Sequence, residues 1–271
     1  MSIITISRST FSGGKILAKQ LAEQTGYPCF SREMIISETS NEYGISEDEL
    51  TATIHKPPPF WQQVPGKRIS YLKCFTAVLL KKADGKDFIY HGYAGQLLLE
   101  GISHVLRVRV IADDEYRIKA AMELMKVGRD EAIAHIEKVD KERDKVVRFF
   151  YGLDWGDPAL YDLVINLEKM SVESASDVII HAAEQGDFQA TDRSIKLLKD
   201  LTLSSRVWGA LAKNRLTSNA AIKVSADNGN IKISGNAGSG KVVDAIPSVV
   251  AQVEGVKSVS NEVGMGGDWY W

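Results

Sequence analysis

The residues best suited to chemistry stand at the front of the chain. A short apolar run, Ile3-Ile4-Thr5-Ile6, leads into Ser7-Arg8-Ser9-Thr10-Phe11-Ser12-Gly13-Gly14-Lys15, and a helical pattern follows. Small residues between a strand and a helix let backbone N–H groups converge on phosphate oxygens. The helix turns its positive dipole end toward them, and a lysine adds a mobile cation. The segment therefore suits a nucleotide or another phosphate ester. Two registers match the pattern G-x-x-x-x-G-K-[ST] in part. With Gly14-Lys15 as anchor, Ser9 occupies the first glycine position and Ile16 replaces the hydroxyl residue that would hold Mg²⁺. With Ser12-Gly13-Gly14 as the cradle, Lys15 moves one position downstream. An ordinary strand-turn-helix connection with a solvated lysine would carry the same residues.

A second chemical signal lies in the helical pattern from Asp130 to Phe150. At about 100° per residue, Lys138, Lys141, Lys145 and Arg148 share a stripe beside Glu137, Asp140 and Asp144, while Ile136, Val139, Val146, Val147 and Phe150 make an apolar face. Arg143 falls in the middle of that face, where a charge needs a partner. A bound phosphate, an internal salt bridge or snorkelling to water would each supply one.

Five β-rich runs must position these groups: Ile3 to Ile6, Pro28 to Phe30, Phe88 to His91, Val105 to Ile111 and Asp162 to Leu167. Their alternation with helical patterns predicts a parallel sheet covered on both faces, with ligands at the carboxyl ends of the strands. Two helical insertions interrupt the alternation. The first runs from Glu33 to Lys82 and contains Pro57-Pro58-Pro59-Phe60-Trp61; the second holds the helices Asp114 to Val127 and Asp130 to Phe150. Both are expected to sit above the sheet as movable flaps. Residues 1–186 thus read as an α/β domain. The polar stretch from Glu184 to Arg193 reads as a linker, residues 194–265 as a small α+β module and 266–271 as an aromatic tail. Within the module, Asn228-Gly229 signals a hairpin because both residues tolerate positive φ, and no catalytic constellation is evident.

Composition narrows the partners. The 271 residues carry a formal net charge of -2, with 44% hydrophobic and 25% charged residues, so neither nucleic acid nor a membrane surface is expected as the main partner. A soluble, cytoplasmic protein is expected, because no basic leader and no run of about 20 apolar residues occurs. Cys29, Cys74 and the five histidines fit no metal or redox spacing, so no protein-bound metal is expected.

Residues 1 to 185 resemble the cytidylate-kinase-like group of P-loop nucleoside monophosphate kinases. The likeness rests on Ile4-Thr5-Ile6-Ser7-Arg8, Ser12-Gly13-Gly14-Lys15, Ser31-Arg32-Glu33-Met34-Ile35, His91-Gly92-Tyr93-Ala94-Gly95-Gln96-Leu97-Leu98-Leu99, Glu115-Tyr116-Arg117-Ile118 and Lys138-Val139-Asp140-Lys141-Glu142-Arg143. Most specific is Tyr151-Gly152-Leu153-Asp154-Trp155-Gly156-Asp157-Pro158 leading to Tyr161-Asp162-Leu163-Val164-Ile165-Asn166. Residues 194 to 264 resemble a BON module through Ile222-x-Val224, Asn228-Gly229, Ile231-x-Ile233-x-Gly235 and Val253-x-Gly255-Val256-x-x-Val259.

The resemblance implies a P-loop kinase core with a five-stranded parallel sheet and helical acceptor and lid insertions, followed by a small α+β BON-like domain. It implies ATP with Mg²⁺ as cofactors and CMP, dCMP or a related monophosphate as acceptor. Ser12, Gly13 and Gly14 would cradle the donor phosphates, with Lys15 or Arg8 bridging charge. Arg32 would hold the acceptor phosphate, with His91 near the substrate at the end of the third strand. Arg117, Lys138, Arg143 and Arg148 would close from the lid, Asp140 would orient Arg143 or cap an exposed face, and Asp154 and Asp162 would reach Mg²⁺ through water or brace arginines. Lys15, Arg117 and Arg143 are the catalytic candidates. Ser31 departs from the pattern where relatives commonly carry an acidic residue. The BON-like module would regulate or assemble the enzyme through a protein or lipid partner, and the chain could form a homo-oligomer. The contrasting expectation is a degraded kinase core that senses nucleotide without turnover; a third reading, lipid-surface binding, leans on Trp269-Tyr270-Trp271.

Overall fold

The apolar run at the front of the chain becomes β1 (Ile3–Arg8), buried from Ile3 through Ser7. A strand covered on both faces reads as a continuous apolar stretch because neither face meets water. The computed structural model describes residues 2–55, 66–83, 85–92, 94–218 and 220–266. The expectations attached to Pro57–Trp61 and to Trp269–Trp271 lie outside the described residues.

After β1 come α1 (Gly14–Thr25), β2 (Cys29–Ser31), α2 (Arg32–Tyr43), α3 (Glu47–His55), α4 (Gly66–Ala83), β3 (Phe88–Gly92), α5 (Gly95–Leu98) and β4 (Val105–Ile111). The hairpin of α6 (Asp114–Met125) and α7 (Arg129–Tyr151) precedes β5 (Leu163–Asn166) and α8 (Val172–Ala183). The first sheet is parallel in the order β2-β3-β1-β4-β5. Its register pairs Ser7 with Gly92 and Ser31 with His91, so the ends of β1, β3 and β2 lie side by side.

Leu17 and Leu21 of α1 and Ala175 and Ile179 of α8 pack with Ile4, Ile6, Val108 and Val110 of the sheet. Burying each large aliphatic side chain contributes about 1.5–3 kcal/mol before ordering costs. Helix boundaries follow local chemistry. Asp113 accepts from the Glu115 N–H at the start of α6 and Ser171 from the Ser174 N–H at the start of α8. Gly26 and Gly152 end α1 and α7 in the left-handed conformation that costs glycine least. Ile118 and Ala121 of α6 meet Ala132 and Ile136 of α7 in the small core of the hairpin.

The chain continues into α9 (Asp192–Lys213), β6 (Ala221–Asp227), β7 (Asn230–Ala237), α10 (Gly240–Ala251) and β8 (Ser258–Met265). The second sheet runs β6-β7-β8, antiparallel between β6 and β7 and parallel between β7 and β8. Asn228 at φ 50 and Gly229 at φ 91 form the β6–β7 turn, the backbone that an Asn-Gly pair favours. Leu203, Val207, Trp208 and Leu211 of α9 pack with Ile222, Ile231, Ile233, Ile246 and Val250.

Two compact units result, and they do not follow the order of the chain. Among the described residues one holds 2–34, 55, 85–92 and 94–194, and the other 35–54, 66–83, 195–218 and 220–266. The helices of the first insertion therefore belong with the C-terminal sheet. Ile69 of α4 packs on that module's core. Gly209 of α9 lies against Tyr43 of α2, since a Cβ on Gly209 would stand 2.2 Å from the Tyr43 hydroxyl. Lys213 Nζ sits 4.8 Å from the Tyr43 ring centre, and Lys81 and Lys82 of α4 pair with Glu42 and Glu38 of α2. Cys29 and Cys74 are free thiols, and burial pushes the Cys74 thiol up to about 12. No helix among the described residues is long and apolar enough to cross a membrane.

Candidate active site

The β1–α1 loop takes the shape its residues favour. Gly13 caps α1 at φ 83, and Phe11 holds φ 60 two residues earlier. The left-handed turns fold the loop under the helix start, where the first N–H groups have no acceptor within the helix. Gly14 has a steric reason to lack a side chain, because a Cβ there would stand 2.8 Å from Arg8 Cβ. Ser12 is committed to scaffolding: its hydroxyl lies 2.9 Å from the Ser9 carbonyl and 3.1 Å from the Val110 carbonyl. Lys15 is exposed at the helix start.

Lys15 also borders an open cleft of about 670 Å³ with Ile16, Cys29, Ser31, Met34 and His91. At its edge the strand ends gather positive charge. Arg8 follows Ser7 at the end of β1, Arg32 follows Ser31 at the end of β2, and His91-Gly92 ends β3 between them. Burial, then the charge of Arg32, lowers the proton affinity of the Arg8 guanidinium, with Glu33 and Tyr90 opposing. Burial, then Arg8, holds the His91 imidazole down to about 4, so it is neutral near pH 7. Arg32 contacts the neighbouring carboxylate of Glu33. Partial burial tends to raise that carboxyl, but Arg32 outweighs it and holds Glu33 at about 2. Arg8 Nε, Arg32 Nε and His91 Nδ1 are buried without a hydrogen-bond partner among the described residues.

The α6–α7 hairpin is tied to the β1–α1 loop through Thr10. Asp140 accepts from the Thr10 hydroxyl at 2.6 Å and from its backbone N–H at 3.2 Å. Arg117 Nε donates to the Thr10 carbonyl at 2.8 Å, and the same guanidinium pairs with Asp140. Arg143, the charge on the apolar face of α7, donates to the Thr10 hydroxyl at 2.9 Å and the Arg8 carbonyl at 3.3 Å. Phe11 packs on the hairpin core. The structure thus brings Arg117, Asp140 and Arg143 together on a loop residue that sequence reasoning passed over. Lys138 is exposed on α7, and Arg148 pairs with Asp144 and Asp154 at 2.8 and 2.7 Å, away from Thr10.

Trp155 was also missed as a site residue, although it stands in the most specific segment of the sequence. Its indole N–H donates to the Ser7 hydroxyl at 3.0 Å. Its ring centre lies 4.5 Å from the Arg109 guanidinium and 5.9 Å from that of Arg143. The signal was present: two arginines, Arg107 and Arg109, interrupt an otherwise apolar strand. Arg107 is paired with Asp162 at 2.6 Å, which occupies that carboxylate.

This donor set suits phosphate better than a protein-held divalent cation. Ile16 provides no oxygen, the Ser12 hydroxyl is engaged, Asp140 is held by Thr10 and Arg117, and Glu33 is held by Arg32. Among the described residues no group of three histidine, cysteine or acidic side chains is placed to hold a metal. The side chains beside the loop do not fit a Mg²⁺ ion.

A parallel sheet whose first strand delivers a glycine loop to a helix start, with an arginine-bearing hairpin latched onto that loop, defines a kinase-type phosphotransferase fold. The cytidylate kinase-like family model matches residues 3–169 and the BON domain model residues 199–266. The chain belongs to the cytidylate kinase-like family and carries a BON domain at its C-terminal end. It is 25% identical over 181 residues to a cytidylate kinase of Staphylothermus marinus, covering 66% of this chain and 94% of that one. It is 24% identical over 187 residues to a cytidylate kinase of Pyrococcus horikoshii, covering 68% and 90%. An uncharacterized protein from Eubacterium ventriosum shares the fold with TM-score 0.53 and 23% identity, across 68% of this chain and 99% of that one.

Proposed function

We propose that the protein transfers a phosphoryl group from ATP to a nucleoside monophosphate of the CMP or dCMP type. The observation that carries this reading is the gathering of Arg8, Arg32 and His91 at the ends of three adjacent strands, with Lys15 at the start of the helix that follows the β1–α1 loop. Phosphoryl transfer asks a protein mainly for alignment, neutralisation of spreading negative charge and exclusion of water. The helix start and Gly13-Gly14 would hold the donor phosphates, Lys15 would follow the transferring group, and Arg32 with neutral His91 would face the acceptor phosphate. Arg117 and Asp140 act by fixing Thr10. Arg143 reaches the loop directly and would strengthen the positive field there. Lys138 and Arg148 would meet substrate only after leaving their present positions.

Coupled ADP-release assays against a panel of nucleoside monophosphates test the reading. Acceptor-dependent release is expected, with Lys15→Ala lowering kcat by about 100-fold, the size of effect seen when one transition-state donor is removed. Absence of release from folded protein with every acceptor would overturn it.

The alternative is a nucleotide-sensing protein without turnover, favoured by Ile16 where a metal-binding hydroxyl is expected. It predicts nucleotide-dependent thermal stabilisation without ADP release. In either case the BON domain would act as regulator or assembly element, binding a protein or lipid partner. Its compact unit includes the insertion helices assigned to the acceptor by resemblance.

A further inference from the structure

We infer that Arg8, Arg32 and His91, together with Lys15, form a phosphate-binding site that works without a divalent metal ion, its cations taking the place of Mg²⁺. The inference deepens the phosphoryl-transfer reading and rests on it for the identity of the loop.

Strand register places the two arginines. Ser7 pairs with Gly92 and Ser31 with His91, so Arg8 and Arg32 emerge on either side of the end of β3. Adjacent strands are about 4.8 Å apart, which puts the two backbones about 10 Å apart, within reach of one phosphate for two long side chains. Both are held in place. Arg8 lies against Gly14, where a Cβ would approach its Cβ at 2.8 Å, and Arg32 lies against Gly92, where a Cβ would approach its Cβ at 2.9 Å. The two guanidiniums repel each other, and among the described residues Glu33 is the carboxylate paired with Arg32.

The buried atoms point the same way. Arg32 is 9% exposed and His91 6%, yet Arg32 Nε, His91 Nδ1 and the Nε of Arg8 have no hydrogen-bond partner among the described residues. A buried donor without an acceptor costs about 1–3 kcal/mol, and an oxyanion would relieve three at once. His91 carries no charge of its own near neutral pH and can donate one hydrogen bond without adding to the repulsion. The metal-binding alternative lacks oxygen ligands here: Ile16 is 62% exposed at the position of the expected hydroxyl. Arginines recognise phosphate through paired N–H groups and need no bridging ion.

The test is equilibrium calorimetry on the full chain with ATP and with inorganic phosphate, each in EDTA and in excess Mg²⁺. ATP is expected to bind in EDTA within about twofold of its affinity in Mg²⁺. Inorganic phosphate should bind in EDTA, Arg8→Gln should weaken ATP tenfold or more, and Arg8→Gln and Arg32→Gln should each weaken inorganic phosphate tenfold or more. ATP binding at least tenfold weaker in EDTA would overturn the inference, and that comparison needs no variant. Variants that fold and bind as the parent does would overturn it as well, as would binding of ATP with none of inorganic phosphate, which would shift recognition to the nucleoside. The two readings fail separately. Metal-free binding without ADP release removes only the kinase reading, whereas turnover with strictly Mg²⁺-dependent binding removes only this inference.

Discussion

His91 sits where strand register, burial and neighbouring cations meet, and it makes a pH signature. Its ordinary value is 6.5 and the fold holds it at about 4, first by burial and then by Arg8, with Lys15 and Arg32 adding and Glu33 opposing. Between those values the unfolded chain takes up a proton that the folded chain refuses. Stability is therefore fully present above pH 6.5 and is lost as pH falls toward 4, by about 3 kcal/mol. Urea denaturation at pH 7, 5.5 and 4 is expected to show that loss in the parent, and His91→Asn should lack this component. Glu33 acts in the same direction lower down, between 4.5 and about 2. A second residue-scale expectation concerns Asp140, which accepts two hydrogen bonds from Thr10 and pairs with Arg117. Asp140→Asn leaves Arg117, 11% exposed in its side chain, with only the exposed Asp114 as an ionic partner among the pairs described. The cost should be about 2 kcal/mol in urea denaturation, and an unchanged midpoint would show that the latch is not held by charge.

At the scale of elements, the strands were legible because a doubly covered parallel sheet writes itself as short apolar runs. The five runs expected from the sequence are the five strands of the first sheet, and Asn228-Gly229 turns where expected. The charge on the apolar face of α7 likewise announced that Arg143 needs a partner. One partner was legible, since Asp140 three residues earlier pairs with it at 3.7 Å; Thr10 and the Arg8 carbonyl were not, because they are far from Arg143 in sequence and meet it only through the packing of the hairpin. Trp155 escaped for the same reason: its partners Ser7, Arg109 and Arg143 come from three other elements. Helix packing gives a further prediction. Gly209 lets α9 approach Tyr43, so Gly209→Val should overpack that contact and lower stability by about 1–3 kcal/mol. Combining it with Tyr43→Ala, which removes the opposing ring, should make the two effects clearly non-additive. Strict additivity in denaturation would separate the two positions energetically.

At the scale of the whole molecule, the compact units interleave segments that the sequence separates by more than a hundred residues. Periodicity in a single sequence reports which face of a helix is apolar but not which distant element covers it. The helices α2 to α4 therefore read as an insertion of the first domain, although their described neighbours include α9 and the BON sheet. Ending the chain at residue 190 would strip the core formed by Leu203, Val207, Trp208 and Leu211 from Ile69 of α4. The shortened protein should bind a hydrophobic dye strongly and melt in two steps or at lower temperature, as exposed apolar surface requires. A shortened protein with the parent's melting point and no dye binding would show that α2 to α4 do not depend on the module.

The indole of Trp155 has a property beyond bracing. An aromatic chromophore redistributes charge when it absorbs light, so its emission responds to the local electric field. Trp155 is buried with the Arg109 and Arg143 guanidiniums 4.5 and 5.9 Å from its ring centre, and Arg143 is also bonded to Arg8 and Thr10 of the β1–α1 segment. Any anion that draws Arg143 toward it changes the field on the ring. With the other four of the five tryptophans replaced by phenylalanine, the colour and lifetime of Trp155 fluorescence become a built-in optical gauge of the latch, readable in real time without a label.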